Sequence, residues 1–266
     1  MLVILPPSET KRSGGAGAFD PGRLRFADEL TTFRSRVRDA LETLSRDEEA
    51  AAKALKLGVK NRGELAHNRQ LGESGVMPAI ERYTGVLYDA LDVATLDASS
   101  RSWLDRHVAV QSALFGIIGA ADEIPAYRLS ASSRLPDLAM PLKRLWSTAH
   151  AEIPWADAQS FVLDLRSKDY GALAPLPEGL GWSVQVAQRG PDGEMRALNH
   201  FNKAAKGDLV RRLAQSQAAI DDVDALLAWG VDTGLELGVR PDERTLTLVT
   251  DLGAPGARQL PQADAG

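Results

Sequence analysis

The sequence predicts a mixed α/β fold, and two patterns indicate it. Short apolar runs occur at Leu2–Leu5, Phe161–Leu165 and Thr245–Val249, and their length and composition are typical of buried strands. Longer segments with apolar residues three or four positions apart lie between these runs, as in amphipathic helices. Buried strands that alternate with amphipathic helices favour a central mixed sheet with surrounding helices.

The composition fits an ordinary globular protein. The chain has 266 residues, of which 44% are hydrophobic and 25% charged, so it is long enough to bury a core. We predict one domain over residues 1–252, with a helical hairpin inserted at about 46–70. Residues 253–266 are rich in Gly, Pro and Ala and predict a flexible tail.

No segment predicts contact with a membrane. No apolar run approaches membrane-spanning length, and no basic segment or small-residue cleavage site accompanies the start MLVILPP. We therefore expect no signal peptide and no membrane partner, and a cytoplasmic location.

Metal and cofactor sites are not indicated. The chain has no cysteine, which excludes disulfides, thiolate metal sites and a cysteine nucleophile. The four histidines, His67, His107, His150 and His200, lack the spacing of a metal site. The glycines after the first strand lack the spacing of a phosphate-binding P-loop. We expect neither a metal nor a cofactor.

Charge is unevenly placed along the chain. The net charge is −5, but the segment from Asp221 to the end holds nine acidic residues and three arginines. The 220 residues before it carry a net charge of +1. A basic cleft is therefore compatible with the sequence, whereas a uniformly basic surface is not.

The first 70 residues predict a strand, a polar loop and three helices. The loop after Leu2–Leu5 offers Ser8 to Arg12 as candidate binding groups, because loops that leave buried strands often carry such groups. A stripe of apolar residues from Phe26 to Leu44 predicts a long helix. Ser45, with Glu48 three positions later, predicts the cap of a second helix that ends near Leu57.

A helical hairpin is predicted where the second and third helices meet. The third helix covers about 61–68, and the turn Leu57-Gly58-Val59 resembles that of a helix-hairpin-helix. Such a turn can offer backbone N–H groups to a DNA phosphate, with Lys56, Gly58, Lys60 and Arg62 as its candidate residues. The alternative is an ordinary hairpin with a glycine stop.

The middle of the chain predicts a helix and a strand. The segment Val76–Leu91 carries spaced apolar residues with a break at Thr84-Gly85, and a helix starts near Thr95 or Asp97. Val108–Phe115 predicts a central strand. Further on, Arg128 stands in a mostly apolar segment, and Arg134 follows six residues later after several serines. An arginine held there is either half of a structural ion pair or a ligand for an anion.

The later elements complete the pattern. A helix over Pro141–His150 is predicted, and the strand Phe161–Leu165 leads directly to Ser167, Lys168 and Tyr170. Trp182–Gln188 and Glu194–His200 predict a hairpin around Gly190–Gly193, and Asp221–Trp229 predicts a helix.

The segment FNKAAKGDLVRRL predicts a helix with an unusually basic start. Asn202 can cap it, and Lys203 and Lys206 are three positions apart and share one face. Free N–H groups and two ammonium groups at a helix start favour a phosphate or another anion. Gly207 permits a close approach to the backbone, and Arg211 lies on a neighbouring face. A solvated basic face is the alternative.

Four of these segments resemble, in the same order, the peroxide stress protein YaaA family. They are ILPPSETK, SALFGIIGAADEIPAYRLSASSRL, LDLRSKDY and FNKAAKGDLVRRL. The resemblance implies a cytosolic protein of the peroxide response that limits free iron and oxidative DNA damage. It also implies a mixed α/β fold with a helix-hairpin-helix element and a basic, DNA-binding cleft. The implied cleft residues are Thr10, Tyr127, Arg128, Arg134, Ser167, Tyr170, Lys203, Lys206, Gly207 and Arg211.

Three positions depart from the family pattern. Glu9 and Thr84 stand where the family commonly has lysines, and Lys168 stands at a commonly acidic position. Lys11, two positions after Glu9, can replace the first lysine. Losing lysines weakens binding to DNA, because each phosphate contact is a large part of non-specific affinity.

Two functions follow as hypotheses. The first is sequence-independent binding of double-stranded DNA in the basic cleft, without catalysis. The second is an enzyme acting on a small phosphate-bearing or nucleotide-like substrate, because Thr10, Lys11, Ser167, Lys168 and Tyr170 gather at the ends of predicted strands. A lysine among other cations can have a lowered pKa and act as base or nucleophile. The sequence contains no known catalytic signature.

Overall fold

The computed structural model describes residues 1–155, 161–189, 195–197 and 202–250, with the backbone alone at 195–197. Eight strands of the described residues form one mixed sheet: β1 (Leu2–Leu5), β3 (Val108–Ser112), β4 (Gly116–Gly119), β6 (Val162–Asp164), β7 (Gly181–Arg189), β8 (Met195–Ala197), β9 (Leu237–Arg240) and β10 (Thr245–Val249). Two short strands, β2 (Met77–Pro78) and β5 (Glu123–Ile124), pair separately. The predicted mixed α/β class is confirmed.

The order of the strands brings three strand ends to one edge. The sheet runs β4-β3-β1-β6-β7-β10-β9, and β8 pairs with the last residues of β7. Strands β1, β3, β6, β7 and β10 are parallel, whereas β4, β8 and β9 run antiparallel to their neighbours. Ile4 of the fully buried β1 pairs with Ala109 on one side and Asp164 on the other. The carboxyl ends of β3, β1 and β6 therefore lie side by side.

Ten helices of the described residues surround the sheet in two groups. They are α1 (Ala27–Leu44), α2 (Glu48–Ala54), α3 (Leu65–Arg69), α4 (Ala79–Arg82), α5 (Val86–Leu91), α6 (Ala98–His107), α7 (Leu142–Ala151), α8 (Lys168–Leu173), α9 (Asn202–Ser216) and α10 (Val223–Asp232). Helix α7 packs against α1 and α8, while α9 packs against α5, α6 and β7. None of the described helices is long and apolar enough to cross a membrane.

Several predicted elements are confirmed with small shifts. The strands Leu2–Leu5 and Thr245–Val249 have the predicted bounds, and Gly85, with a φ of 95°, separates α4 from α5 as expected. Helix α7 begins at Leu142, so Pro141 precedes its first turn instead of forming it. The predicted turn at 190–193 lies outside the described residues. Helix α9 already includes Asn202, so the predicted role of Asn202 as its N-cap is wrong.

The predicted strand Val108–Phe115 is wrong in its second half. Strand β3 ends at Ser112, whose Oγ accepts hydrogen bonds from the backbone N–H groups of Leu114 and Phe115, both at 3.0 Å. This side-chain turn reverses the chain, and Gly116, with a φ of 68°, begins the antiparallel strand β4. The apolar pattern of VAVQSALF could not show this turn.

The predicted cap of the second helix is also wrong. Ser45 ends α1, and the cap of α2 is Asp47, whose carboxylate accepts from the N–H of Ala50 at 3.0 Å. After α2 the chain forms a 3-10 turn over Val59–Glu64 and then the five-residue helix α3. Two short helices, α2 and α3, therefore lie in the segment predicted as a helical hairpin, and its assignment as an inserted hairpin and as a helix-hairpin-helix stays a prediction.

Gly207 lets α9 lie directly against α5. A Cβ added at Gly207 would lie 2.1 Å from the carbonyl oxygen of Leu87, closer than any non-bonded contact allows. The predicted close approach to Gly207 is therefore made by the protein's own backbone. It brings Lys206, the preceding residue, to the end of β6.

Replacing Gly207 by Ala is expected to lower the free energy of unfolding by about 1–3 kcal/mol, because α5 and α9 must separate. Gly171→Ala in α8 is the matched control, since a Cβ there meets no atom within 4 Å. Urea unfolding of both variants checks the expectation. Equal unfolding midpoints for the two variants would contradict the packing role of Gly207.

Candidate functional site

The Lys11 side chain turns back over the end of β1. Its Nζ donates to the carbonyl oxygens of Ser8 at 3.0 Å and Glu9 at 3.3 Å. The same nitrogen lies 4.0 Å from the centroid of the Tyr127 ring and 5.3 Å from that of Tyr83. Burial of the ammonium group lowers the pKa of Lys11 to about 7. A larger share of the Lys11 amine is therefore neutral near pH 7 than in an exposed lysine.

A chain of three hydroxyl groups supports the aromatic rings beside Lys11. The Tyr127 hydroxyl lies 2.8 Å from the Ser112 Oγ and 2.8 Å from the Tyr83 hydroxyl. Because Ser112 Oγ already accepts from two backbone N–H groups, its own O–H is free to donate to Tyr127. Tyr127 can then donate to Tyr83. With this order of donation, the Tyr83 hydroxyl is the last member of the chain and donates its proton to no other member.

Arg128 holds two carboxylates near Lys11. Its guanidinium contacts Glu9 Oε2 at 3.2 Å and Glu64 Oε2 at 3.3 Å, and it donates to the carbonyl oxygen of Glu9 at 3.2 Å. The backbone of Arg128 also exchanges two hydrogen bonds with the side chain of Asn68 in α3. Of the two roles open to Arg128, the structure shows the ion pair.

Three further hydroxyl groups line the same edge. Thr84 Oγ1 donates to Thr10 Oγ1 at 3.0 Å, and Ser8 Oγ lies 3.3 Å from Thr10 Oγ1. All three residues have exposed or partly exposed side chains. Thr84 and Glu9 occupy two positions where lysines were expected from the family pattern. In this protein Thr84 supplies a hydroxyl group at one of these positions, and Glu9 forms an ion pair with Arg128 at the other.

Lys206 is buried beneath the neighbouring strand end. Its Nζ donates to the carbonyl oxygen of Leu165 at 3.0 Å, and burial lowers the pKa of Lys206 to about 8 despite the nearby Asp164. The Asp164 carboxylate accepts two hydrogen bonds from the Arg166 guanidinium, Nε to Oδ1 at 2.8 Å and Nη2 to Oδ2 at 2.7 Å. Lys203 is exposed, so the two lysines do not form the predicted pair on one face.

The Arg211 side chain is hydrogen-bonded to the end of α5. Its guanidinium donates to the carbonyl oxygens of Leu91 and Asp92, both at 2.9 Å, and to Thr95 Oγ1 at 2.9 Å. These carbonyls lie at the end of α5, where a cation compensates the helix dipole. The predicted anion contact of Arg211 is not part of this arrangement.

The start of α8 uses the predicted polar residues locally. Ser167 caps the helix by accepting from the N–H of Tyr170 at 3.5 Å, and Lys168 is exposed beside it. Tyr170 is buried, and burial raises the pKa of its hydroxyl. The charge of Glu9 raises that pKa and the charge of Arg128 lowers it. Because both charges act on the Tyr170 hydroxyl, Tyr170 lies near the Lys11 loop.

A basic groove lies beside the helical hairpin. It has a volume of about 730 Å³, and its lining includes the exposed cations Lys53, Lys56 and Arg134 and no carboxylate. The backbone N–H of Arg134 meets the carbonyl oxygen of Ala54 at 3.4 Å, which holds the loop against the end of α2. We call this feature the Lys56 groove.

The tip of the hairpin is exposed beyond this groove. Gly58 and Lys60 are exposed, and the Val59 side chain is 83% exposed. Arg62 is turned toward α2, where it forms an ion pair with Glu49. Of the four predicted hairpin residues, Arg62 is thus already paired.

The predicted site residues fall into separate places. Thr10, Lys11, Tyr127, Arg128 and Tyr170 gather at the carboxyl edge, whereas Lys56 and Arg134 line the groove. The prediction missed Ser112, Tyr83, Glu64 and Lys53. Ser112, Tyr83 and Glu64 contribute through partners distant in sequence, and Lys53 is brought to the groove by the fold. Among the described residues, no group of three possible ligands could hold a metal ion.

The lowered pKa of Lys11 can be measured directly. In protein carrying ¹³C-labelled lysine, we expect the Lys11 signal to titrate near pH 7 and that of Lys206 near pH 8, since both amines are buried. Lys11→Arg and Lys206→Arg assign the two signals. An ordinary midpoint for Lys11, above pH 10, would contradict the geometry of its burial.

Comparison with known proteins identifies the family. Residues 1–236 match the family model described as peroxide stress protein YaaA. A UPF0246 protein of Corynebacterium glutamicum is 41% identical over 254 residues, which are 94% of this chain and all of the relative. A UPF0246 protein of Streptomyces coelicolor is 40% identical over 246 residues, which are 89% of this chain and 92% of the relative. The chain therefore belongs to the peroxide stress protein YaaA family.

Proposed function

We propose that this protein acts in the response to peroxide stress by binding the phosphate backbone of double-stranded DNA in the Lys56 groove. The observation that carries the proposal is the set of three exposed cations, Lys53, Lys56 and Arg134, in a groove without a lining carboxylate. Free cations of this kind supply most of the affinity in non-specific DNA binding.

The groove also has a suitable setting. Lys60 and the backbone at Gly58 extend the positive surface at the hairpin tip, where no side chain covers the glycine. Cations and backbone N–H groups contact phosphates without reading bases, so the binding is independent of sequence. A protein that covers DNA in this way protects it from iron-driven oxidation.

The cations of the carboxyl edge contribute little to this binding. Arg128 is neutralised by Glu9 and Glu64, and Arg211 is held at the end of α5. Lys206 is buried and donates to a backbone carbonyl. A DNA phosphate would have to displace these internal partners. In the Lys56 groove, by contrast, no carboxylate lines the space beside the cations.

Lys56→Gln/Arg134→Gln is expected to weaken binding to a short duplex roughly tenfold and to reduce the slope of log K against log salt by about 2, because two phosphate contacts are lost. Fluorescence anisotropy across a salt series measures both quantities. Arg106→Gln is the matched control, since Arg106 is exposed, lies in the last turn of α6 and is not among the residues that line the groove. A wild-type affinity that does not change with salt would refute the proposal.

A second candidate function is favoured by the carboxyl edge itself. Hydroxyl groups of Ser8, Thr10 and Thr84 adjoin a lysine of lowered pKa at the ends of parallel strands, the usual place of ligands in open α/β sheets. We propose that a small phosphate-bearing ligand binds there, hydrogen-bonded by these hydroxyl groups and by Lys11.

Thr10→Val is expected to weaken the binding of inorganic phosphate about fivefold to tenfold, because the central hydroxyl of the three is lost. Isothermal titration calorimetry measures the affinity. Thr32→Val, on the exposed face of α1, makes the same chemical change away from the edge. Phosphate that binds neither wild type nor control would remove this second candidate.

A further inference from the structure

We propose that Lys11 is a nucleophilic amine that forms an imine with the carbonyl group of a small aldehyde or ketone, and that the Tyr83 hydroxyl supplies the acid for this step. The inference rests on the second candidate function, in which the carboxyl edge takes a small ligand. It adds the class of chemistry and the residues that perform it.

The position of the amine suits a nucleophile. Its two hydrogen bonds go to the carbonyl oxygens of Ser8 and Glu9 and not to a carboxylate. A neutral amine has two N–H bonds, so it can keep both contacts and retain a free lone pair. The ring faces of Tyr127 and Tyr83 hold the side chain in this position.

The surrounding charges act on Lys11 in opposite directions. Glu9 and Glu64 favour its charged form, whereas Arg128 and Arg82 disfavour it, and desolvation is the largest single effect on its pKa. Arg82 is fully buried and donates to the carbonyl oxygens of Arg12, Gly14 and Gly75. Neutral amine is therefore available near pH 7, as attack on a carbonyl carbon requires.

The hydroxyl chain supplies the proton that imine formation needs. Ser112 is saturated by the N–H groups of Leu114 and Phe115, which directs the chain outward through Tyr127 to Tyr83. Burial raises the pKa of Tyr83 to about 12, so this hydroxyl keeps its proton until a stronger base appears. The alkoxide that forms from the attacked carbonyl is such a base.

The reaction balances without an oxidant or a reductant. The Lys11 lone pair forms the C–N bond, the carbonyl electron pair moves to oxygen, and Tyr83 protonates that oxygen. The nitrogen then loses its two protons, one to the Tyr83 phenolate and one to the departing hydroxyl group. Water leaves, and the C=N bond forms. The net change is an amine and a carbonyl compound giving an imine and water.

Two neighbours of the Lys11 loop line a cavity. Tyr83 and Thr84 line this space of about 440 Å³, a size typical of small-molecule sites, whereas Lys11 is not among its lining residues. Tyr83 also pairs with Lys11 through an isolated backbone bridge, and Thr84 donates to Thr10 beside it. Among its charged lining residues, Glu81 is paired with Arg101, while Arg12, Asp89 and Asp92 offer both signs of charge.

Borohydride trapping with pyridoxal and with pyridoxal 5′-phosphate tests the inference. Both probes carry an aldehyde, and only the second carries a phosphate. We expect both to label Lys11 at pH 7 at least about tenfold faster than the exposed Lys53, because far more of the buried amine is neutral. Peptide mass spectrometry locates the label. Labelling of Lys11 no faster than that of Lys53 would overturn the inference.

Two variants separate chemistry from structure. Lys11→Arg keeps the positive charge and is expected to abolish the fast label. Tyr83→Phe is expected to slow trapping while the pH midpoint of the Lys11 label stays near 7, because the acid is lost and the burial is kept. An unchanged trapping rate in Tyr83→Phe would overturn the role of Tyr83. Because inorganic phosphate has no carbonyl group, its binding shows independently whether the second candidate function stands.

Discussion

The desolvation of one lysine amine at the end of β1 governs the carboxyl edge of this protein. Moving an ammonium group out of water is costly, and the chain offsets that cost with two backbone carbonyls and the face of Tyr127. These partners need a fixed loop and a fixed ring. Arg128 holds the loop through Glu9, and Ser112 holds the ring through the Tyr127 hydroxyl. The contacts around this one amine thus link the loop after β1, the end of β3 and helix α3.

The cations of the protein serve two different purposes as a result. Lys11, Arg128, Lys206 and Arg211 are bound to the protein's own carbonyls and carboxylates, where they fix strand ends and helix ends. Lys53, Lys56 and Arg134 line the Lys56 groove, in which no lining carboxylate neutralises them. The first set favours a small ligand and chemistry, and the second favours an extended polyanion.

The sequence predicted local structure better than it predicted the site. The strand Leu2–Leu5 was predictable because four consecutive apolar residues followed by two prolines have few other solutions. The reversal at Ser112 was not, because its cause is one hydroxyl group that accepts two N–H bonds. The same residue begins the hydroxyl chain, whose contacts join residues 15 positions apart (Ser112 and Tyr127) and 44 positions apart (Tyr127 and Tyr83).

The candidate site shows the same limit. Lys11 was named from the loop that follows a predicted strand and Arg128 from its apolar setting, but the carboxylate partner Glu64 comes from the hairpin and has no sequence signal. The pair Lys203 and Lys206 shows the reverse case. Their spacing predicted a shared face, yet the packing of Gly207 against Leu87 directs Lys206 inward and leaves Lys203 outside.

The division between buried and exposed cations can be tested in one experiment. Lysine-labelled protein is titrated with a short DNA duplex at low salt, and the signals of all lysines are followed by NMR. The signals of Lys53 and Lys56 should shift, while those of Lys11 and Lys206 should stay unchanged. Shifts at Lys11 and Lys206, with Lys53 and Lys56 unaffected, would show that the ligand displaces the internal partners and would contradict this division.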